Sequence, residues 1–346
     1  MFGIQVEKVN LNSETERKEV DDFLRGYDLI LDKDVDYTLV MRENNVIKAT
    51  CSKARNVLKC FAVSDEWRGE GVTATLISAL VDILFEQGIY HCFIFTKPDK
   101  VEIFSSLNFK LIHAAKDVAL LESGMTDINR YLKNMKEKYK LLDEEKAAIV
   151  MNCNPFTLGH KYLIEEAAAK EKHVLIFMVE EDRSLFPFKA RYEIVKKGVS
   201  HLKNVTVIPG GEYIISSATF PSYFLREESK KLKAYTELDA AIFGKYFCKS
   251  LNIKRRYVGT EPYCKVTNAY NETLDETLKQ YGVELELIER KSYKGEEISA
   301  SRVRNLIKSG NIEELKEIVP EVTYEFLKTD MGREIVEKIK HSNSPH

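Results

Sequence analysis

The stretch that decides the fold is AAIVMNCNPFTLGHKYLIEEAAAK, residues 147–170. Its first residues form a short apolar run that predicts a buried strand, Asn154-Pro155 predicts a turn, and helix-favouring residues continue from His160. Strands that alternate with helices in this way pair in parallel and build an α/β sheet. Ligands of such sheets bind at the carboxyl ends of the strands, where the helices begin. We therefore expect a ligand site at this turn.

The same alternation continues to the end of the chain. Each predicted strand is a short apolar run, and each predicted helix has apolar residues at helical spacing. The strands are HVLIFMVE, VTVIPG, RRYVGT and VELELIER, the helices between them are FKARYEIVKKGVSHL, ELDAAIFGKYFCKSLN and NETLDETLKQYG, and two further helices close the chain. We expect residues 147–346 to form a Rossmann-like domain with a parallel sheet.

The first part of the chain has a different order of elements. DYTLVMREN and NVIKATCSK predict a hairpin that turns at Asn44-Asn45. VLKCFAVS, IYHCFIFT and KLIHAAKDVALLES each predict a strand, whereas TATLISALVDILFEQG and DKVEIFSSLNF each predict a helix. We expect an α+β domain over residues 1–125. The polar segment 126–146 predicts a helical connector or, equally, a solvated helix on the edge of either domain.

Composition narrows the class of protein. A chain of 346 residues suggests two domains, and a net charge of -2 gives no reason to expect nucleic acid or an anionic membrane as a partner. No apolar run approaches the roughly 18 residues of a membrane span, and the start lacks the pattern of a signal peptide. The six cysteines form no CxxC pair and none lies at zinc-ligand spacing from a histidine. We expect reduced thiols in a cytoplasmic protein, and no metal site on the chain.

One glycine-rich motif, WRGEGVTATL at residues 67–76, lies between a predicted strand and a predicted helix. Gly69 and Gly71 allow a tight turn with exposed N–H groups, and the helix start adds partial positive charge. Arg68 can add a charge-assisted contact. The motif favours a pyrophosphate site; a plain glycine-rich turn is the alternative.

A second motif, Thr157-Leu158-Gly159-His160, opens the helix of the first stretch. Free N–H groups at a helix start can bind a phosphate, and Gly159 leaves room for a nucleobase or phosphate beside the backbone. His160 can donate a hydrogen bond to a phosphoryl oxygen as charge builds up in the transition state. A histidine that only caps the helix is the alternative.

A third motif, EEISASRVRNLIKSG, places Ser299, Ser301 and Arg304 at another predicted helix start. Two hydroxyls, free N–H groups and an arginine suit the β and γ phosphates of a nucleotide, although a serine cap with solvated arginines has the same pattern. Together the second and third motifs favour a nucleotide site.

Other side chains of the second half leave alternatives open. Arg183 and Arg191 are phosphate ligands or solvated arginines. Cys153 and Cys264 are buried thiols or nucleophiles, with the thiol favoured. Phe220, Tyr223 and Phe224 belong to the core or line a pocket for a small acid.

Residues 1–125 resemble the GNAT acyltransferase family, whose Arg/Gln-x-x-Gly-x-Gly/Ala loop holds the pyrophosphate of coenzyme A. Arg68 and Gly71 match this loop, whereas Thr73 departs from the usual glycine or alanine. Glu66 and Tyr90 are the candidates for a catalytic acid or base, and a structural role is favoured for both. The resemblance implies a domain that binds a CoA-like arm through Arg68, Gly69, Gly71 and Thr73.

The second half resembles the nucleotidylyltransferase superfamily, whose motifs are (H/T)xGH and ISxSxxR. The resemblance implies magnesium, as Mg²⁺ bound to the substrate ATP, and a catalytic role for His160 and Arg304. It also implies a nucleotide site that contains Asn154, Phe156, Thr157, Gly159, His160, Ser299, Ser301 and Arg304.

The whole chain resembles the citrate lyase ligase family through GGEYIISSATFPSYFL, YVGTEPYCKVTNAYNETL and ISASRVR. The resemblance implies that ATP and acetate form acetyl-AMP and pyrophosphate. The acetyl group then passes to the thiol of the phosphoribosyl-dephospho-CoA group on the acyl carrier subunit of citrate lyase. Three alternatives stay open: an adenylyltransferase acting on phosphopantetheine or a nicotinamide nucleotide, a GNAT N-acetyltransferase with a nucleotide-binding domain, and a nucleotide-sensing protein.

Overall fold

A computed structural model describes residues 5–180, 184–214, 228–260 and 265–341, without the side chains of 228–232 and 265–270. The chain divides into two compact units, residues 1–131 with 217–242 and residues 132–216 with 243–346. The predicted domain boundaries at residues 126 and 147 stay a prediction.

The structure contains the predicted alternation and adds a strand and a helix before the hairpin and a short pair of strands before the closing helices. The strands are β1 Val6–Lys8, β2 Tyr37–Glu43, β3 Val46–Ala54, β4 Val57–Val63, β5 His91–Thr96, β6 Lys110–Ala114, β7 Ala119–Gly124, β8 Lys146–Met151, β9 Val174–Met178, β10 Val205–Pro209, β11 Ile253–Gly259, β12 Glu284–Ile288, β13 Ser292–Tyr293 and β14 Glu296–Glu297. The helices are α1 Glu14–Arg25, α2 Val72–Glu86, α3 Val101–Ser105, α4 Ile128–Lys138, α5 Leu158–Lys170, α6 Phe188–Gly198, α7 Glu228–Ile242, α8 Lys249–Leu251, α9 Lys265–Lys279, α10 Ala300–Lys308, α11 Glu321–Leu327 and α12 Asp330–His341.

The first unit contains a seven-stranded sheet in the order β1-β2-β3-β4-β5-β7-β6. Its neighbouring strands are antiparallel except β4 and β5, which are parallel and pair only at Val57–Phe93 and Leu58–Ile94. Beyond these two pairs the two strands no longer share a ladder over the residues described, so a gap opens between their carboxyl halves. This gap positions the first of the two candidate sites.

Two turns of this sheet test the predicted strands. The hairpin of β2 and β3 is confirmed: Asn44 (φ 50°) and Asn45 (φ 64°) take the left-handed conformation that a tight hairpin turn requires. The prediction of one strand over KLIHAAKDVALLES is wrong. The chain turns at residues 115–118 and forms the antiparallel strands β6 and β7, because Lys116-Asp117 interrupts the apolar pattern.

The second unit contains a five-stranded sheet in the order β10-β9-β8-β11-β12, and all of its paired strands run parallel. Every residue of β9 is buried, as expected of a strand covered on both faces. The chain extends the sheet from β8 to one side and then returns to the other side with β11. The predicted class, an α+β domain followed by a domain with a parallel sheet, is confirmed.

The order of these strands predicts where a ligand binds. β8 and β11 are neighbours whose following helices leave in different directions, which makes their junction the switch point of the sheet. Ligands of open parallel sheets bind in the crevice beyond the carboxyl ends of the strands at that point. The turn between β8 and α5 lies there.

The closing segment contains more helices than predicted. Three helices, α10, α11 and α12, follow the sheet instead of two, with a 3-10 turn at Ile312–Glu317 between the first two. Gly310 (φ 79°) ends α10, and Pro320 precedes α11. These breaks separate α10 from α11.

Candidate active site

The turn between β8 and α5 is held by a reciprocal cap. Thr157 precedes the helix, and its hydroxyl accepts the N–H of His160 at 3.3 Å. In return, Nδ1 of His160 accepts the N–H of Thr157 at 3.1 Å. The helix therefore begins before the predicted start at His160, and the histidine caps it.

This cap determines which nitrogen of His160 carries the proton. Because a backbone N–H can only donate, Nδ1 of His160 must be the acceptor, and the ring hydrogen of the neutral side chain is on Nε2. Burial and the nearby positive charge of Arg290 lower the pKa of His160 to about 4. At neutral pH, His160 is therefore an uncharged ring with one N–H available as a donor.

Gly159 is required by a close approach of two backbone segments. A Cβ added to Gly159 would lie 2.6 Å from the carbonyl oxygen of Ile298, which is too close. The space on that side of Gly159 is therefore occupied by Ile298, and not open for a nucleobase as the sequence suggested. The contact of Gly159 with a nucleotide stays a prediction. Only its backbone atoms, which line the cavity, could make that contact.

The third sequence motif meets the second at this point. Ser299 caps α10 by accepting the N–H of Arg302 at 3.1 Å, as predicted for a serine at a helix start. A cavity of about 430 Å³ opens beyond the two helix starts. The predicted site residues that line it are Thr157, Gly159, His160, Ser299 and Ser301.

Three predicted site residues lie behind this cavity. Arg304 is 9% exposed and donates to the carbonyl oxygen of Asn154 and to the hydroxyl of Ser301, so it ties the two motifs together. The side-chain oxygen of Asn154 accepts the N–H of Phe186 at 3.0 Å. Phe156 is fully buried, with its ring 6.2 Å from that of His160. These contacts support the cavity wall.

The cavity lining also contains Glu289, Arg290 and Glu297, none of which was predicted as a site residue. Glu289 and Arg290 follow the end of β12, and Glu297 precedes Ser299. Nη1 of Arg290 lies 3.8 Å from Oε2 of Glu297. Glu289 and Arg290 follow a strand end directly, so the rule that ligands bind at carboxyl ends was the signal that could have found them.

Arg191 has neither of the roles considered for it. Its side chain is fully buried and donates to the carbonyl oxygens of Phe186, Asn152 and Val179. It therefore holds loops together, and it is neither a solvated arginine nor a phosphate ligand. Cys153 is 1% exposed and burial raises the pKa of its thiol, which confirms the buried thiol. Arg183, Phe220, Tyr223, Phe224 and Cys264 lie outside the described residues.

A separate cavity of about 620 Å³ lies in the first unit, in the gap between β4 and β5. Arg68, Gly69, Gly71 and Thr73 line it, as do Lys97, Lys100 and apolar side chains of both strands. Gly69 (φ 84°) and Gly71 (φ 75°) are left-handed, so the loop needs both glycines. α2 begins next to Gly71, and its first N–H groups have no partner within the helix. The predicted motif therefore forms a glycine turn at a helix start that lines the cavity, and its role in binding an anion stays a prediction.

The candidate acid and base of this unit lie away from the cavity lining. Glu66 is bonded to Lys48 at 2.6 Å, and the ring of Tyr90 packs on Phe85 at 5.0 Å. Both contacts are structural, as the sequence favoured.

The described residues contain neither a membrane-spanning helix nor a metal-binding cluster. Within the described ranges, no helix has the length and apolar character that crossing a membrane requires. No cluster of three or more His, Cys, Asp or Glu side chains suited to a metal ion occurs in the described part of the chain.

Fold and cavity together define an α/β protein with a candidate nucleotide site at the switch point of a parallel sheet. Residues 146–327 match the family described as "Citrate lyase ligase C-terminal domain". The chain is 37% identical over 334 residues to the [citrate [pro-3S]-lyase] ligase of Escherichia coli strain K12, with 94% of this chain and 95% of the relative covered. It is 35% identical over 325 residues to the [citrate [pro-3S]-lyase] ligase of Klebsiella pneumoniae, and the match covers 92% of this chain and 94% of the relative. The chain belongs to the [citrate [pro-3S]-lyase] ligase family, a family of enzymes.

Solved structures of acetyltransferases match about a third of the chain. The ribosomal-protein-S18-alanine N-acetyltransferase from Escherichia coli is 11% identical, covers 36% of this chain and 96% of its own, and has a TM-score of 0.29. A GNAT-family acetyltransferase from Staphylococcus aureus Mu50 is 16% identical and has a TM-score of 0.30. The match covers 36% of this chain and 100% of the acetyltransferase.

Proposed function

We propose that this enzyme activates acetate as acetyl-AMP, releases pyrophosphate, and acetylates the thiol of the phosphoribosyl-dephospho-CoA group on the acyl carrier subunit of citrate lyase. This acetylation activates citrate lyase. The observation that carries the proposal is the cavity at the switch point, which neutral His160 and the serine-rich start of α10 line together in a member of this ligase family.

In the first step an acetate oxygen attacks the α-phosphorus of ATP, and the bond from that phosphorus to the pyrophosphate oxygen breaks. No protein nucleophile is needed, so position and charge stabilisation carry the catalysis. His160 donates from Nε2 to an α-phosphoryl oxygen as charge builds up on it. Ser299, Ser301 and the N–H groups at the start of α10 bind the leaving pyrophosphate.

The charges of the cavity argue that a cation arrives with the nucleotide. Among the described residues that line it, Arg290 is positive while Glu289 and Glu297 are negative, and His160 is neutral. A triphosphate bound there needs further positive charge. Mg²⁺ carried by the ATP phosphates and water supplies that charge, because magnesium is commonly held by substrate phosphates with few protein ligands.

In the second step the thiol sulfur attacks the acetyl carbonyl carbon, and the bond from that carbon to the AMP oxygen breaks. A thioester and AMP are the products. We propose that the Arg68–Thr73 loop holds the CoA-like arm, since a helix start next to two left-handed glycines suits its pyrophosphate. The partner is the acyl carrier subunit, and the reaction takes place in the cytoplasm.

Exchange of labelled pyrophosphate into ATP tests this function. We expect exchange that depends on acetate, because acetyl-AMP must form before pyrophosphate can return. Exchange that ignores acetate but needs a phosphorylated acceptor would instead identify an adenylyltransferase. Acetyl-CoA consumption with an amine and without ATP would identify an N-acetyltransferase, and nucleotide binding without turnover would identify a sensor.

A further inference from the structure

Arg290 is positioned by the ends of two strands. It follows β12 by two residues and lines the same cavity as His160, Ser299 and Ser301. A Cβ added to Gly259, the last residue of β11, would lie 3.6 Å from Nε and 3.7 Å from Cγ of Arg290. The stem of Arg290 therefore runs across the end of β11, next to the switch point, and this contact limits where the guanidinium group can lie.

The guanidinium group of Arg290 lies near an acidic side chain that lines the same cavity. Nη1 lies 3.8 Å from Oε2 of Glu297, which is longer than a hydrogen bond, and the side chains are 28% and 24% exposed. A phosphoryl group offers two oxygens at hydrogen-bond distance to the fork of an arginine, and such paired contacts are among the strongest that proteins make. A phosphoryl group bound in this cavity can therefore make a closer contact to Arg290 than Glu297 does.

Arg290 and His160 are two hydrogen-bond donors that line the same cavity. Among the described residues, the charged or titratable groups that line the cavity with His160 are Tyr162 on its own helix, Glu289 and Arg290 after β12, and Glu297 at β14, and Arg304 on α10 belongs to the wall behind it. Of the cations in that set, Arg290 lines the cavity whereas Arg304 is bonded to Asn154 and Ser301 behind it. Burial, and after it the positive charge of Arg290, lowers the pKa of His160, so the ring is a neutral donor that shares the cavity with this cation.

We propose that Arg290 binds the α-phosphoryl group together with His160 and is a second catalytic residue of the adenylation step. The inference rests on the proposed function, because the α-phosphorus is the centre that acetate attacks. The inference adds Arg290 to the site formed by the second and third sequence motifs. The guanidinium neutralises charge on the same phosphoryl group to which His160 donates, and the contact tightens as the attacking and leaving oxygens spread charge over it.

Three variants test this role through acetate-dependent exchange. We expect Arg290→Gln to lower kcat about 100-fold or more, which is the effect of removing one donor that acts on transition-state charge. Arg290→Lys keeps the positive charge but loses the paired N–H donors of the guanidinium group. Its kcat should lie between those of Arg290→Gln and the wild type. Lys291→Gln is the matched control, since it removes an exposed positive charge next in the chain and outside the cavity lining, and it should stay within about twofold of wild type.

A second measurement follows the ring of His160 by NMR, with the signal identified by its loss in His160→Asn. In the wild type we expect a titration midpoint near pH 4. Arg290→Gln removes the repulsion of an imidazolium, so the midpoint should move to higher pH, whereas Lys291→Gln should leave it in place. A role of Arg290 in folding alone would not move this midpoint.

The outcomes separate the inference from the function on which it rests. Wild-type protein without acetate-dependent exchange would overturn the proposed function and the inference with it. Wild-type exchange that survives unchanged in Arg290→Gln, or a His160 midpoint that does not move, overturns the inference alone. Thermal unfolding of each variant checks the fold, and Arg290→Lys carries the kinetic test if Arg290→Gln does not fold.

Discussion

At the residue scale, the two ring nitrogens of His160 have separate roles. Nδ1 accepts the N–H of Thr157 and so fixes the ring at the helix start. That contact leaves Nε2–H as the donor of a side chain that lines the cavity, and the lowered pKa keeps the ring neutral through the physiological range. The capping role and the functional role that the sequence offered as alternatives are therefore compatible in one side chain.

We expect His160→Ala to lower acetate-dependent pyrophosphate exchange by about 100-fold to 1,000-fold, because a donor aimed at transition-state charge is lost. The affinity for MgATP should weaken far less. Exchange kinetics and calorimetric binding of MgATP measure the two effects. His173→Ala is the control, since His173 is also half-buried and hydrogen-bonded, to Thr206 at 2.8 Å, but lies outside the cavity lining. Equal loss of exchange and of binding would contradict the transition-state role.

At the element scale, the site depends on two helix starts that meet. α5 brings Gly159 against the carbonyl oxygen of Ile298, immediately before the start of α10. Arg304 fastens the same junction by its bonds to Asn154 and Ser301. The contact between the two motifs is therefore made by backbone and by buried side chains, and the cavity forms where they join.

Gly159→Ala tests this junction. The added Cβ would force the two backbones apart, so we expect the free energy of unfolding to fall by about 1–3 kcal/mol and exchange to fall with it. Lys161→Ala, two residues further along α5, is the control. The ion pair of Lys161 with Glu165 at 3.6 Å lies near the surface and contributes little to stability. Denaturant unfolding measures the stability. A variant with wild-type stability and exchange would show that the close approach is not needed.

The sequence predicted those parts of the site that local patterns encode. The strand–turn–helix of residues 147–170, the cap at Ser299 and the left-handed glycines of the first unit each follow from residue types a few positions apart. Arg290 and Glu289 could not be found in this way, because only the strand order brings the end of β12 to the same cavity. The burial of Arg191 and Arg304 could not be predicted either, because distant packing sets burial and a local pattern does not contain it. The phosphate role of Arg304 stays a prediction.

At the scale of the whole molecule, two cavities in two units suggest a division of labour. The parallel-sheet unit has the chemistry for adenylation, while the cavity between β4 and β5 is lined by cations, glycines and apolar side chains over the residues described. We propose that the first unit binds the thiol arm and leaves the chemistry of acetate activation to the second.

Arg68→Gln tests this division. We expect acetate-dependent exchange to stay near the wild-type rate, while transfer of acetyl to the thiol arm slows about tenfold, because a charge-assisted contact to the pyrophosphate of the arm is lost. The control is Arg25→Gln, since Arg25 is equally exposed and paired with Asp21 at 2.8 Å, much as Arg68 pairs with Asp65 at 2.7 Å. Collapse of exchange in Arg68→Gln would show that the first unit takes part in adenylation.

The central claim is that an acetate oxygen attacks the α-phosphorus of ATP in the cavity of His160. Acetate labelled with ¹⁸O in its carboxylate, followed by mass spectrometry of the products after transfer to the thiol arm, tests this claim most directly. The account predicts AMP that carries a single ¹⁸O, because the oxygen that bonds to phosphorus remains there when the thiol displaces AMP. Unlabelled AMP, or ¹⁸O in phosphate or pyrophosphate, would contradict it.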